Sequence, residues 1–236
     1  MIQNGYREGR FCQTSGDIYT YCDYYCGFGE KQIEIQSGMN YKKQIPIGSI
    51  PLFDSLKNMR TSNIEYDVVF VDGYENDTNS FFDLSTYKKV VDNVIEFSRE
   101  FKNLKINFRI KPSCLLLKDE YLKNRNKRLL EAGVIYDEAI SENTYEAVQK
   151  SKLVVFYRTT VALEALALNK RILYCNYDVK DHYYSKEDDI GCLVDDSYDA
   201  FKTKVLDLLN TQCESIDLYY DELRKDYMNM KKDPSE

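Results

Sequence analysis

Two residues near the middle of the chain, Thr160 and Glu164, have the type and spacing expected of a site for a phosphorylated ligand. Residues four apart in a helix lie on one face, so the carboxylate stands one turn above the hydroxyl. The free amides of a helix N-terminus attract anions, and the hydroxyls of Thr159 and Thr160 lie beside them. A phosphate bound there leaves Glu164 within reach of the neighbouring ribose hydroxyls. The alternative is a capped helix with one solvated glutamate.

Two cations, Arg109 and Lys111, form a second set of candidate binding residues. Both lie at the end of a predicted strand, Lys105–Ile110. Because side chains alternate along a strand, Arg109 and Lys111 are expected on the same face. Pro112 then forces an extended exit. Such a pair can clamp a diphosphate, because the arginine offers a bidentate fork. The alternative is a surface pair that balances nearby acids.

The single histidine, His182, is a candidate general acid or base because an imidazole titrates near neutrality. It lies in an acidic and aromatic loop that follows Asp178. A lone histidine in such a loop is more often a solvated residue, which is the alternative interpretation. Beyond this candidate, the sequence leaves the catalytic residue unknown.

The elements that position these residues alternate between strands and helices. Leu153–Tyr157 is an apolar run typical of a buried strand, and Val161–Leu168 is predicted to be a helix of about three turns. Asn169 can close that helix in the left-handed conformation, and Arg171–Tyr177 begins another strand. A strand, a helix and a strand in this order indicate a parallel sheet.

The same alternation extends over residues 61–236. The other predicted strands are Tyr66–Gly73, Val134–Tyr136 and Ile190–Val194. The other predicted helices are Thr86–Phe101, Asp119–Ala132, Asn143–Lys150, Ser197–Leu209 and Ser215–Lys232. We therefore predict an α/β fold over residues 61–236, a Rossmann-like parallel sheet flanked by helices.

Residues 1–60 lack helical periodicity and are predicted to form a short irregular extension. Extended pieces are expected at Ile18–Tyr25 and Lys31–Gln36, separated by turns that contain glycine. The weakest domain boundary of the chain is predicted between Pro51 and Ile64.

The amino-acid composition, net charge and cysteine spacing argue against some classes of function. The chain of 236 residues is 43% hydrophobic and 30% charged, as in ordinary soluble proteins. A net charge of −7 argues against a nucleic-acid partner, which needs a basic face. The seven cysteines are expected to be reduced and mostly buried. The spacing of Cys12, Cys22 and Cys26 fits no standard zinc pattern, so no metal is expected.

The chain has no apolar run of the ~20 residues that span a bilayer, and its first residues lack the apolar core of a signal peptide. We therefore expect it in the cytoplasm. A peripheral contact with the inner face of the membrane is left open, although no cluster of basic residues indicates one.

The segment Ser151–Tyr174 resembles the nucleotide-sugar-binding segment of GT-B fold enzymes, in which a strand, a Ser/Thr-rich turn, an EAL helix and a GKP-like exit recur. It is most similar in pattern to bacterial surface-carbohydrate proteins, which make capsule and lipopolysaccharide. The resemblance implies that the turn, here Arg158, Thr159 and Thr160, binds the nucleotide diphosphate and that Glu164 binds the ribose. The chain departs from the pattern at Asn169 and Arg171, where glycine and proline are usual.

Three further segments carry the same resemblance. The family has an "fRxKp" pattern where this chain has Arg109–Pro112, which implies a role near the phosphates or the acceptor. Gln3–Gly5 and Ile45–Ser49 resemble segments near the end of the N-terminal GT-B domain. Residues 1–60 are therefore expected to be the end or remnant of that domain, and residues 61–236 the C-terminal nucleotide-sugar-binding domain.

The first functional hypothesis is a glycosyltransferase of surface polysaccharide biosynthesis, which transfers a sugar from a nucleotide-sugar to a glycan or lipid-linked acceptor. It needs no cofactor or metal, because helix amides, Arg109 and Lys111 can neutralise the leaving diphosphate. The second is a nucleotide-sugar 2-epimerase-like enzyme. The third is a non-catalytic nucleotide-binding half of a split or truncated GT-B enzyme, with a partner chain that supplies the missing N-terminal domain.

Overall fold

The computed structural model describes residues 21–29, 40–59, 63–74, 83–111, 114, 117, 119–136, 143–178, 189–211 and 214–228. The chain divides into two compact units. One unit is Thr61–Gln212, and the other combines Met1–Arg60 with Cys213–Glu236. The assignment of residues 1–60 and 61–236 to the two domains of a GT-B enzyme stays a prediction.

The described elements of the larger unit alternate between strand and helix. They are β3 (Tyr66–Val71), α2 (Leu84–Glu100), β4 (Ile106–Arg109), α3 (Glu120–Glu131), β5 (Ile135–Tyr136), α4 (Thr144–Gln149), β6 (Ser151–Phe156), α5 (Val161–Ala167), β7 (Arg171–Cys175), β8 (Cys192–Leu193) and α6 (Tyr198–Asn210). The described elements of the other unit are β1 (Tyr21–Gly27), β2 (Asn40–Pro46), α1 (Ile50–Asn58) and α7 (Glu214–Tyr227).

Six strands of the larger unit form one sheet in the order β5-β4-β3-β6-β7-β8. Every neighbouring pair is parallel. The chain builds the sheet outward from β3 through β4 to β5, returns to the centre at β6, and continues outward on the other side. This is the strand order of a doubly wound fold. The predicted Rossmann-like α/β class is confirmed.

The centre of the sheet is the core of this unit. Leu153–Phe156 of β6 are fully buried, and Val68–Val71 of β3 are at most 3% exposed. Such continuous apolar strands are typical of a parallel sheet covered on both faces. The rings of Phe70 and Phe108 stack across β3 and β4 with their centroids 4.8 Å apart.

Four of the seven cysteines have a described side chain, and all four are free thiols. Cys114, Cys175 and Cys192 are buried, as predicted, and Cys26 is half-buried. Burial raises the pKa of the Cys175 thiol to about 12. This thiol therefore stays protonated and behaves as a small apolar group.

Helix ends follow the predicted local signals. The capping box of α4 is complete, because the Asn143 side chain accepts from the Glu146 amide and Glu146 Oε2 accepts from the Asn143 amide. Asn143 Oδ1 also accepts from the Tyr145 amide at 2.9 Å. Gly133, at φ +81°, ends α3 as predicted.

Asn169 closes α5 as predicted, with φ at +58°. Its amide donates to the Leu166 carbonyl, and the Lys170 amide donates to the Ala165 carbonyl, which is the Schellman arrangement. The predicted length was wrong: α5 has seven residues and therefore about two turns. Arg171 caps the C-terminal end of α6 by donating from Nη1 to the Leu208 and Thr211 carbonyls, 2.8 Å each.

The smaller unit is more regular than predicted. β1 and β2 form a parallel pair, and β1 overlaps the expected extended piece Ile18–Tyr25. α1 occupies Ile50–Asn58, and the division between the two compact units follows it at Arg60–Thr61, within the interval predicted for the boundary. Ser49 starts this helix by accepting from the Leu52 amide, and a proline in the first turn suits it. The predicted piece Lys31–Gln36 lies outside the described residues.

Across the described parts of the chain, no helix has both the length and the apolar character needed to cross a membrane.

Candidate functional site

The strand order reverses between β3 and β6, and the candidate site lies where these two strands end. Residues 72–74 follow β3, and we call them the β3 connection. Residues 157–160 follow β6, and we call them the β6 connection. Doubly wound folds bind ligands outside the carboxyl ends of their strands at such a reversal. The sites predicted around Arg109 and around Thr160 both lie at this edge.

The two connections touch at Gly73. A Cβ added to this residue would lie 1.8 Å from the carbonyl oxygen of Arg158 and 2.7 Å from its carbonyl carbon. Backbone atoms cannot move away cheaply at such a distance, so glycine is required for this close approach. The two connections are therefore packed backbone against backbone at this point.

A buried ionic cluster stabilises the β3 connection. It consists of Asp72, Tyr87 and Arg125, and we call it the Asp72 cluster. Arg125 Nη1 donates to Asp72 Oδ2 at 2.8 Å and to the Tyr87 hydroxyl oxygen at 2.6 Å. The Tyr87 hydroxyl donates to Asp72 Oδ1 at 2.7 Å. The aspartate and arginine side chains are at most 1% exposed.

Electrostatics keep Arg125 cationic. Burial alone would lower the pKa of Arg125, but Asp72 and Tyr87 together outweigh burial, and the net shift is upward. Burial, with the charge of Asp72 added, raises the pKa of Tyr87 well above its ordinary value. The arginine therefore stays cationic and the tyrosine stays a neutral donor at any physiological pH.

Asp72 also organises the backbone around it. Its Oδ1 accepts from the Tyr74 amide at 2.9 Å, and its own amide donates to the Arg109 carbonyl at 2.8 Å. The Tyr74 hydroxyl donates to Asp119 Oδ2 at 2.6 Å, at the start of α3. The sequence pattern does not predict this cluster. Its one local signal is an acid directly after the apolar run of β3.

Arg109 and Lys111 lie beside the β3 connection, because β4 is the neighbour of β3. Arg109 ends β4 and is 3% exposed, whereas Lys111 is half-buried. The Asp72 amide fixes the backbone between the two strands at this point. The predicted contact of both cations with a diphosphate stays a prediction.

The start of α5 differs from the expected capped helix. Thr160 occupies the N-cap position with helical φ and ψ, and its side chain makes no capping hydrogen bond. Thr159 Oγ1 instead accepts from the Val161 amide at 3.4 Å. The role of both threonines in binding phosphate stays a prediction.

Glu164 is not the solvated glutamate of the alternative interpretation. Only 3% of its surface is exposed, and its Oε2 accepts from the Tyr145 hydroxyl at 2.9 Å. Burial and the charge of Glu164 raise the pKa of Tyr145, so this hydroxyl remains a donor throughout the physiological range. A buried carboxylate at this edge of the sheet therefore has a dedicated donor from α4.

Arg158 is tied to the end of the next strand. Its Nη2 donates to Asp178 Oδ2 at 2.9 Å, and the Tyr157 hydroxyl donates to the same oxygen at 2.9 Å. The Arg158 guanidinium also lies 5.3 Å from the centre of the Tyr157 ring. Burial lowers the pKa of Arg158, but Tyr157, Tyr174 and Asp178 outweigh it and raise the pKa overall.

The ion pair has a consequence for the predicted diphosphate site. Asp178 accepts from Nη2 of Arg158, so a diphosphate that uses Arg158 shares the guanidinium with this carboxylate. The sequence pattern does not predict Asp178 as its partner. His182 lies outside the described residues, so its predicted role is untested.

The chain matches no protein-family model and no curated protein sequence. It is similar in structure to the wall teichoic acid polymerase TagF, with a TM-score of 0.57 and 15% identity over 90% of this chain and 55% of TagF. It is also similar to a UDP-GlcNAc 2-epimerase from Methanocaldococcus jannaschii in complex with UDP-GlcNAc and UDP. That match has a TM-score of 0.52 and 17% identity over 80% of this chain and 55% of the epimerase.

The chain thus spans about half the length of either protein. Likeness at these identities establishes the fold alone. The chain has the Rossmann-like architecture of GT-B enzymes, and the predicted resemblance in fold is confirmed.

Proposed function

We propose that the chain binds a nucleotide-sugar between the β3 and β6 connections and serves in a glycosyltransferase of surface polysaccharide biosynthesis, such as capsule or lipopolysaccharide. The observation that carries the proposal is the reversal of strand order between β3 and β6, where doubly wound folds bind nucleotides. The buried carboxylate of Glu164, at the same edge, supports it. A buried acceptor suits ribose hydroxyls, which are donors.

In the proposed reaction, the bond between the anomeric carbon and the diphosphate oxygen breaks. A bond forms between that carbon and a hydroxyl oxygen of a glycan or lipid-linked acceptor. The hydroxyl proton passes to a general base, for which His182 is the sequence-based candidate, and the nucleoside diphosphate leaves. Arg109 and Lys111 are proposed to neutralise the leaving group without a metal. Equal nucleotide affinity in EDTA and in Mg²⁺ would support binding of the diphosphate without a metal.

A nucleotide-sugar 2-epimerase-like activity is the second candidate. The structural likeness to an epimerase bound to UDP-GlcNAc and UDP favours it. Incubation with a nucleotide-sugar separates the two candidates. An epimerised nucleotide-sugar as product supports the second, and nucleoside diphosphate released in proportion to glycosylated acceptor supports the first.

A non-catalytic nucleotide-binding half of a GT-B enzyme that acts with a partner chain is the third candidate. In this case a partner chain supplies an N-terminal GT-B domain. We place such an assembly in the cytoplasm, at the inner face of the membrane where lipid-linked acceptors are used. Nucleotide binding without turnover, together with turnover on addition of the partner, would support it.

The experiment that tests the binding proposal is calorimetry with UDP, CDP, CMP, GDP and ADP. We expect selective binding of one nucleotide to the wild type and a loss of about ten-fold in affinity in Glu164→Gln, since one charged hydrogen-bond acceptor is weakened. The matched control is Glu131→Gln on α3, which changes a half-exposed glutamate. Absence of binding by every nucleotide to a folded sample would overturn the proposal.

A further inference from the structure

The hydrogen bond between Tyr145 and Glu164 joins two helices, and the sequence pattern does not predict that they contact each other. Tyr145 is the second residue of α4, and Glu164 lies in the first turn of α5. The two residues are 19 apart in the chain, and their helices contact each other. A Glu side chain has three rotatable bonds, so its carboxylate has many orientations unless a partner fixes it. Tyr145 is such a partner.

The position of Tyr145 places it at the binding edge. α4 ends one residue before β6 begins, so the first turn of α4 lies toward the carboxyl edge of the sheet, where α5 also begins. The capping box of Asn143 and Glu146 fixes this first turn on both sides of Tyr145. The tyrosine hydroxyl is therefore presented from a well-anchored helix start.

The hydrogen bond from Tyr145 does not by itself exclude a ligand from the same carboxylate. Each carboxylate oxygen has two acceptor positions, and Tyr145 uses one position of Oε2. Two neighbouring ribose hydroxyls match the two oxygens of a carboxylate when its plane is fixed. A carboxylate free to rotate meets the same hydroxyls in fewer of its conformations.

We propose that Tyr145 is a positioning residue, which fixes the plane of the Glu164 carboxylate so that the site distinguishes ribose from 2′-deoxyribose. This inference rests on the proposed nucleotide site and adds the residue that sets its sugar selectivity. Tyr145 acts through Glu164 and makes no contact with the ligand in this proposal. Its effect must therefore disappear when Glu164 no longer carries a carboxylate.

The test is a double-variant cycle with Tyr145→Phe, Glu164→Ala and the combination. Each protein is titrated by calorimetry with UDP, CDP, GDP and ADP and with their 2′-deoxy forms. We expect the wild type to prefer the ribonucleotide by about ten-fold. Tyr145→Phe should reduce that preference to about two-fold, mainly by weakening the ribonucleotide. In the Glu164→Ala background, where no acceptor remains for the tyrosine, the same change should have no further effect.

The matched control is Tyr198→Phe. Tyr198 donates a 2.6 Å hydrogen bond to Glu100 across α6 and α2, so the control removes the same kind of bond elsewhere. It should leave both affinities and their ratio unchanged. Circular dichroism at the titration temperature confirms that each variant is folded.

The outcomes are distinct. A wild type that binds no nucleotide overturns the proposed function and the inference with it. Binding that is weakened by Glu164→Ala but keeps its full ribose preference in Tyr145→Phe leaves the proposed function standing and overturns the inference. An equal loss from Tyr145→Phe with or without the Glu164 carboxylate also overturns it, because the tyrosine then acts on the ligand directly.

Discussion

Replacing Arg125 by methionine removes one partner of the Asp72–Arg125 pair while keeping an unbranched side chain of similar length. The two side chains are 1% and 0% exposed, so the Asp72 carboxylate is left buried without its counter-charge. Breaking a buried pair in this way typically costs about 3–5 kcal/mol of unfolding free energy. Domains have only about 5–15 kcal/mol in total, so the loss is a large fraction of the stability.

Two comparisons make this prediction specific. Asp72→Asn combined with Arg125→Met removes both charges and should cost less than Arg125→Met alone, because no uncompensated charge remains. Arg128→Met is the matched control. Arg128 also lies on α3 and pairs with Asp92 of α2 at 2.7 Å, but the two side chains are 45% and 51% exposed. Exposed pairs contribute about 0–1 kcal/mol, so the control should change little.

The assay is urea unfolding followed by circular dichroism and by tyrosine fluorescence, since the chain has no tryptophan. The two probes must coincide, because the chain contains two compact units and two-state behaviour cannot be assumed. A double variant as unstable as the sum of the two single variants would refute the reasoning, because it would mean that the charges are not coupled. A loss in Arg128→Met equal to that in Arg125→Met would refute the role of burial.

Two further predictions concern the binding edge and acid stability. Gly73→Ala should cost at least about 1–3 kcal/mol and weaken nucleotide binding, because the new Cβ meets the Arg158 carbonyl at 1.8 Å. Gly133→Ala is its control: nothing lies within 4 Å, so only the cost of a positive φ, about 1–2 kcal/mol, is expected, with affinity unchanged. Burial raises the pKa of Asp67, but Lys152 Nζ and the Lys105 amide outweigh it, so the folded-state pKa is lowered. The stability from Asp67 is therefore present above its unfolded pKa of about 3.9 and lost as pH falls through the folded value, and urea midpoints of Asp67→Asn and wild type should converge below about pH 4. A constant gap at all pH values would contradict this sign.

Local signals in the sequence predicted the elements well. The capping box of Asn143 and Glu146 and the helix closures at Gly133 and Asn169 depend on residues within a few positions, and the structure has all of them. The strand, helix and strand around α5 follow from apolar runs and helix formers in one stretch. The parallel sheet then follows, since a helical crossover joins parallel strands.

Elements with weak local signals were not predicted. α1 has nine residues and a mixed apolar and polar sequence, and its signals are a serine cap and a proline in the first turn. A short helix of this kind is marginal by itself and depends on its packing. The alternation that predicted the larger sheet has no counterpart in residues 1–60.

The polar contacts of the candidate site were also not predicted by local sequence signals. The chain segment from Ser151 to Asp178 predicted a nucleotide site, but the polar pairs that form at this edge of the sheet join residues far apart in the sequence. Asp72 and Arg125 are 53 residues apart, Tyr145 and Glu164 are 19 apart, and Arg158 and Asp178 are 20 apart. No periodicity relates such pairs, and only the completed sheet brings them together.

These pairs fix the backbone of the β3 and β6 connections. The Asp72 cluster fixes the β3 connection against α2 and α3, and Asp178 fixes Arg158 in the β6 connection. The two connections then meet at Gly73, with no space for a side chain between them. Asp72 thus links α3 to the connection that contains Gly73, and Gly73 contacts the backbone that precedes Thr159. In the proposed site, Thr159, Thr160 and Glu164 supply the ligand contacts, whereas the backbone that positions them depends on buried charges contributed by neighbouring strands and helices.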